Sequence, residues 1–433
     1  MVARNRPRLQ DAAEFAWFPE RRAGATSQVD SGLPGRYLAC MRPYDRYWGK
    51  ADPALGGYHL AAHHALDVAA VALRRVERSQ VLRARLVRLV PGIEQERIAP
   101  TVACWVALHD IGKLDVRFQL KAPSVASALD PARASCRFSG PYDHGRWGCQ
   151  QLRRELRSEM DEHLGGNMEA FLQGVTGHHG ELPSRAKIRA DEDIDAFEVS
   201  DSDARRAFLL DVVRMFRDRG AVLPFSGGEP TSPAVALVAG LCSVADWIGS
   251  QTEHFPYESQ PRPLPEYFER ALERADTALD TLRIDAPGAG RSFSELFPKT
   301  PIPRGVQELT EALQVTREPQ FVVIEAPMGT GKTEAALALA SRMIDAQAAS
   351  GLYFALPTMA TSNGLFARVA DVVPRMWKGE TNLMLAHSKS RRTEALRRLV
   401  FKACAPRQAR YGDALFDEEA SAACAKWFLH AQG

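Results

Sequence analysis

Between residues 64 and 246 the chain repeatedly interrupts apolar, helix-patterned stretches with imidazole and carboxylate side chains. They are His64, the doublet His109-Asp110, His144, the doublet His178-His179, and Asp246. Eight of the eleven histidines fall between positions 59 and 179. A lone charge buried in an apolar helix costs on the order of several kcal/mol or neutralises itself. Any fold of this chain must therefore bring these groups to each other or to a ligand. Imidazole and carboxylate together suit a divalent transition-metal site. Seven side chains exceed the needs of one ion, so two ions sharing a bridging carboxylate is the economical arrangement. Paired metals are a common means of cutting phosphodiesters.

Local spacing says how the groups are carried. Leu66–Leu73 and Thr101–Leu108 repeat apolar residues every three or four positions, and strand signals are scarce from about 58 to 280, so this region is predicted all-α. His64 and Asp67 lie three apart on one helix face, and Asp67 is expected to orient His64 as a hydrogen-bond acceptor. Adjacent helical residues point about 100° apart. His109 and Asp110 therefore reach one site only near a helix end, where Gly112 lets the chain turn. Asp246 closes the apolar run Ala234–Ala245 and must be paired or coordinated. Taken singly, each histidine reads as an ordinary core or surface residue and Asp246 as a salt-bridge partner. Their conjunction in one helical region favours metal, while His59 and His63 are read as structural.

At 433 residues the chain has room for two domains, each with its own core. A formal charge of +2 confines any nucleic-acid binding to local patches. Seven scattered cysteines without a C-x-x-C pair indicate neither a cysteine zinc site nor a disulfide framework. The opening MVARNRPRLQDAAEF lacks a secretory apolar core, and no run of about 18 apolar residues is seen, so a cytoplasmic protein without membrane contact is expected. The expected organisation is a polar leader over 1–40, an all-α domain over 41–285, and a linker with an α/β domain over 286–433.

In the last part the patterning changes. Phe321-Val322-Val323-Ile324 is a strand candidate leading into Glu325-Ala326-Pro327-Met328 and then Gly329-Thr330-Gly331-Lys332-Thr333. A helix is predicted over Glu334–Met343, and further strands over Gly351–Leu356 and Leu383–Ala386. Strand, loop, helix, strand is α/β patterning with a parallel sheet. Gly329, Thr330, Gly331, Lys332 and Thr333 form a Walker A-type loop, with Ala326 where the first glycine usually sits. In such a loop backbone N–H groups wrap phosphate at a helix N-terminus, the lysine reaches the β/γ oxygens, and the threonine holds Mg²⁺. ATP with Mg is the expected ligand.

The order His64-x-x-Asp67, HDIGK at 109–113, Asp143-His144-Gly145, Gly177-His178-His179-Gly180 and Ala245-Asp246-Trp247 resembles the HD superfamily of metal-dependent phosphohydrolases. With Trp48-Gly49-Lys50, Tyr58-His59 and Arg117-Phe118-Gln119 it is most similar to the nuclease domain of the CRISPR-associated helicase-nuclease of type I interference systems. The resemblance implies one ion on His64, His109, Asp110 and Asp246, and another on Asp110, His144, His178 and His179, with Asp110 bridging. It also implies in-line attack of activated water on phosphorus, with Asp110 and Lys113 at the catalytic centre and Lys113 contacting phosphate or neutralising charge. The imidazole-rich shell favours Fe, Mn, Co or Ni over Mg.

Phe297-Pro298 and Pro303-Arg304-x-x-Gln307 resemble the adenine-reading glutamine motif of superfamily 2 helicases, and Ala355–Asn363 resembles their strand-to-loop backbone grip through Thr358, Thr361 and Asn363. Arg391, Arg392, Arg397, Arg398, Lys402, Arg407 and Arg410 form a basic stretch that reads equally as a phosphate track or a solvated helix face. A working helicase also needs an acidic motif on an apolar strand and a second RecA-like domain. Asp417-Glu418-Glu419 is preceded by no apolar strand. The expectation is therefore a multi-domain chain, an all-α HD-type domain followed by an incomplete RecA-like one, which binds ATP weakly and does not unwind DNA unaided. The expected function is a single-stranded DNA nuclease of CRISPR antiviral defence. Its partners would be an RNA-guided surveillance complex and a separately encoded remainder of the helicase. The alternatives are an HD-type nucleotide phosphohydrolase and a non-enzymatic fragment that binds DNA or the surveillance complex.

Overall fold

The computed structural model describes residues 41–52, 57–136, 138, 140–180, 183, 198–282, 284, 287–356 and 359–379. Helix α1 (Ala61–Arg78) is the axis of the first part, with fourteen of its residues buried. The sequence gives it small Ala positions on several faces, so neighbours approach from more than one side. Helices α2 (Ile98–Val106), α6 (Ser232–Gly249) and α7 (Leu264–Leu282) all pack on it. Between α2 and α6 in chain order come α3 (His144–Arg154), α4 (Glu169–Thr176) and α5 (Glu198–Asp218). Leu66, Val71, Trp105, Phe171, Phe208, Phe216 and Phe268 fill one continuous core. Full burial of side chains of this size is worth about 1.5–3 kcal/mol each.

The described strands form one small antiparallel hairpin, β1 (Trp48–Asp52) with β2 (Gly57–Leu60). Its register pairs Trp48 with Leu60, Lys50 with His59, Ala51 with Tyr58 and Asp52 with Gly57, with an irregularity between Trp48 and Lys50. β2 runs directly into α1, and the Ala61 amide donates to the Tyr47 carbonyl at 2.8 Å, so the hairpin lies over the start of the axial helix.

Helix α6 corrects one expectation. By length and composition alone it is apolar enough to cross a membrane. Here its buried residues, among them Val238, Cys242 and Ala245, join the same core as α1, and it carries Asp246.

A second apolar cluster gathers Phe293, Leu296, Leu337, Ile344, Val373, Met376 and Trp377. It is built by α9 (Lys332–Asp345) and α10 (Met359–Met376), with the short α8 (Val306–Glu311) packed on α9. The helix predicted after the phosphate loop is α9. The strands predicted over 321–324 and 351–356 do not form, and no parallel sheet occurs among the described residues. A parallel strand exists only through neighbours that take its amide and carbonyl groups. Among the described residues none pairs with these segments, and Phe321, Val323 and Tyr353 are exposed. The third predicted strand, 383–386, the basic stretch from Arg391 to Arg410 and Asp417–Glu419 lie outside the described residues.

Candidate metal centre

Two helix ends carry the doublets, by the same local device. Helix α2 closes and the chain turns through Ala107–Asp110 into a short 3-10 turn, Ile111–Lys113. His109 Nδ1 donates to the Val106 carbonyl at 2.9 Å. After α4, His178 Nδ1 donates to the Val175 carbonyl at 2.8 Å. Each imidazole thus folds back on a carbonyl of the helix that precedes it. Each also keeps its proton on Nδ1, which leaves Nε2 as a bare donor facing the interior.

Gly112 brings the next ligand in. A Cβ at this position would collide with the His144 carbonyl, so only glycine lets the turn seat itself on the start of α3. His144 is the first residue of α3, and the Asp143 carboxylate caps that helix by accepting from the Arg146 amide at 3.1 Å.

Asp110 stands at the middle. Its Oδ2 lies 3.2 Å from His64 Nε2 and 3.2 Å from His109 Nε2. Its Oδ1 lies 3.2 Å from His144 Nε2 and 3.9 Å from His178 Nε2. Asp246 faces the same space, with Oδ1 3.2 Å from His64 Nε2 and 3.8 Å from His109 Nε2, and Oδ2 3.8 Å from His178 Nε2. His179 Nε2 lies 3.0 Å from His144 Nε2. The structure thus brings His64, His109, Asp110, His144, His178, His179 and Asp246 into one cluster. It contains two sets whose donor atoms lie within 4.8 Å of one another, His64 with His109 and Asp110, and His144 with His178 and His179.

The contacts between Asp110 and its histidines are close without being aligned as hydrogen bonds. Nε2 of His64, His109 and His178 and both Asp110 oxygens are buried without a hydrogen-bond partner among the described residues. Buried polar atoms are rarely left so, and five of them converging on one space fit a cation set better than a polar core. Electrostatics agree. Burial pushes the Asp110 carboxyl up, but His109 and Lys113 outweigh it and hold it well below the usual carboxylate range. Burial raises Asp246 too, and His64, His109 and His178 more than reverse it. Burial, then the Lys50 and Lys113 charges, lowers His64, and burial with His109 pulls His178 down to about 3. Low-lying carboxylates beside buried imidazoles such as His64 and His178, whose charged form burial opposes, make a donor set suited to divalent transition metals.

Lys113 is buried, with Nζ 2.6 Å from Asp110 Oδ2 and 3.2 Å from the Gly49 carbonyl, to which it donates. Asp67 does not orient His64. Its Oδ2 lies 2.9 Å from His59 Nε2, and its Oδ1 accepts from the Tyr267 hydroxyl at 2.9 Å. The hairpin and α7 deliver two competing donors that helix spacing alone does not reveal. His63 stacks on Tyr267, ring centroids 3.8 Å apart, away from the cluster. Lys50, whose charge is felt by Asp246 and Asp110, is the neighbour that residue patterning missed. Ser250 Oγ donates to Asp246 Oδ1 at 3.0 Å, and Ser243 Oγ to the His178 carbonyl at 2.6 Å, both one turn from Asp246 or past its helix end.

In the phosphate loop, Gly329 and Gly331 adopt φ of 79° and 86°, and Gly331 caps α9. Lys332 Nζ donates to the Pro327 carbonyl at 2.9 Å, and Thr330 Oγ1 to the same carbonyl at 2.8 Å. Thr333 is in the first turn of α9. Gln307 Nε2 donates to the Gly331 carbonyl at 3.4 Å, so the glutamine and the loop meet. Thr361 and Asn363 fall within α10, and Thr358 lies outside the described residues.

A helical cage with a His-Asp turn at a helix end and further histidines closing on the same aspartate defines the HD class. Within it, residues 48–255 match the family model described as Cas3, HD domain, and this segment belongs to that domain family. It is 31% identical over 389 residues to the CRISPR-associated endonuclease/helicase Cas3 of Escherichia coli, covering 81% of this chain and 43% of that relative. To the Thermus thermophilus protein of the same name it is 36% identical over 394 residues, covering 88% and 41%. A crystal structure of T. fusca Cas3-ATP superposes with a TM-score of 0.60 at 26% identity, covering 79% of this chain and 39% of that one. The chain thus matches about two fifths of the length of these relatives.

Proposed function

We propose that the chain is a metal-dependent nuclease that cuts single-stranded DNA. His64, His109, Asp110 and Asp246 would hold one divalent ion, and Asp110, His144, His178 and His179 would hold a second. The observation that carries this reading is Asp110 itself, one oxygen turned to His64 and His109 and the other to His144 and His178. Two such cations, among Fe, Mn, Co and Ni by the donor set, would when bound acidify water and offset the charge that develops on a phosphodiester. The protein's own part is orientation. The Val106 and Val175 carbonyls fix two imidazoles, and Lys113 sets a positive charge beside Asp110.

The second part is proposed to be the start of a RecA-like module that binds ATP with Mg through Gln307, Gly329, Thr330, Gly331, Lys332 and Thr333. The support is the positive-φ glycine pair at the N-terminus of α9 and the approach of Gln307 to it. The DNA would be presented by an RNA-guided surveillance complex, in the cytoplasm. The test is circular single-stranded DNA offered beside a panel of dNTPs to protein loaded with Mn²⁺ or Ni²⁺. Degradation of the circle, lost in Asp110→Ala, is expected. Turnover of dNTPs with an intact circle would assign the site to nucleotide hydrolysis instead.

A further inference from the structure

Two lysines meet beside the cluster, and they differ: Lys113 donates to the Gly49 carbonyl, and Lys50 follows Gly49 on β1. Lys113 is paired, 2.6 Å from Asp110 Oδ2. Lys50 is half-buried on β1, and among the described residues it has no carboxylate partner within 4.0 Å. Its surroundings are those of the site: burial pulls its ammonium down from the usual lysine range, and Asp246, Asp110 and Asp67 oppose that pull while Lys113 adds to it. A desolvated ammonium without a close partner is unfavourable, unless something anionic is meant to meet it.

The backbone shows that the placement is built. The ladder pairs Trp48 with Leu60 and Lys50 with His59, so Gly49 is an extra residue on β1. Such a bulge bends the strand and re-aims the side chain that follows it. Gly49 is also the point where β1 touches α1. A Cβ there would sit 2.8 Å from the Ala61 Cα and 3.3 Å from the His64 Cβ, so a larger residue would lift the strand off the helix that carries His64. The Gly49 carbonyl in turn accepts from Lys113. Bulge, close approach and carbonyl contact together hold the β1 backbone that carries Lys50 against the start of α1 and beside Lys113.

We infer that Lys50 is a substrate-positioning residue that binds a non-bridging oxygen of the DNA backbone phosphate at the Asp110–Asp246 centre. The inference rests on the phosphodiesterase reading and adds a second cation to it. Two metal ions would give the cluster a surplus of positive charge over its two aspartates, and Lys50 extends that field towards the incoming chain. A phosphodiester, with one negative charge and two free oxygens, is the chemistry that meets it.

The full chain tests this as wild type, Lys50→Ala and Lys50→Arg. Inorganic phosphate is titrated into Ni²⁺-loaded protein by calorimetry, and kcat and KM are measured with Mn²⁺ on a fluorescein-labelled dT12 oligonucleotide. Loss of a charge-assisted hydrogen bond predicts phosphate binding about ten- to a hundredfold weaker in Lys50→Ala. A comparable fall in kcat/KM is expected, with bound metal at the wild-type level, and Lys50→Arg should recover most of both. Unchanged phosphate affinity and kcat/KM in Lys50→Ala would overturn the inference while leaving the nuclease reading intact. So would loss of bound metal in that variant, because Lys50 would then be holding the cage together. A wild-type protein that binds metal but cuts no oligonucleotide would overturn the parent reading, a separate and visible outcome.

Discussion

Asp246 Oδ1 lies 3.2 Å from His64 Nε2, which joins α6 to α1 at the cluster although the two residues are far apart in the chain. Removing the carboxylate removes a donor without stranding a charge, because burial favours the neutral His64 ring. In Asp246→Ala, elemental analysis should find one ion lost, and cleavage should fall by at least about 100-fold, since even the partners behind a ligand cost 10–100-fold. An unchanged urea midpoint of the metal-free variant would show that the loss is local.

Gly112 is where geometry is tightest. Gly112→Ala drives a methyl into the His144 carbonyl. Overpacking of this kind costs about 1–3 kcal/mol, read as a lower urea midpoint. Because the strain separates the Asp110 turn from α3, affinity for the ion expected on His144 and His179 should fall more than affinity for the other.

Acid should loosen the metal-free fold. The folded pKa values of His178 and His63, both pulled to about 3, lie below their ordinary 6.5. As pH falls, the unfolded chain takes up those protons first, so stability is full above 6.5 and is lost between 6.5 and 3. Asp110 and Asp246, held low, work in the same direction at still lower pH. Asp45, raised by burial to about 6 from 3.8, works the other way between those values. Urea titrations of metal-free protein at pH 7.5 and pH 5 should show the lower midpoint at the lower pH, and a flat profile would contradict it.

Tyr267→Phe separates scaffold from site. It removes one donor from the buried Asp67 carboxylate and leaves His59 in place. The expected cost is about 1–3 kcal/mol of stability, with metal stoichiometry unaltered. A lost ion in this variant would mean that the network behind α1 orients the ligands after all.

Why some of this was legible in the sequence is a matter of range. His109-Asp110 and His178-His179 could be read because a doublet at the end of an apolar helix has few uses, and each imidazole folds back on its own helix through a carbonyl three residues earlier. Asp67 could not, because its partners arrive from β2 and α7. Lys50 stood in the Trp48-Gly49-Lys50 motif without a role for a related reason: a bulge at Gly49, invisible in residue alternation, sets the register of the strand that carries it. The segments 321–324 and 351–356 have strand composition, yet pairing belongs to two chains segments at once, and neither finds a neighbour among the described residues.

The central claim is that Asp110 bridges two ions. Anomalous scattering from crystals grown with Mn²⁺ tests it directly. The account predicts two peaks, each within about 2.0–2.2 Å of a different Asp110 oxygen, one also touching His64, His109 and Asp246, the other His144, His178 and His179. A single peak, or two peaks of which neither touches Asp110, would contradict it.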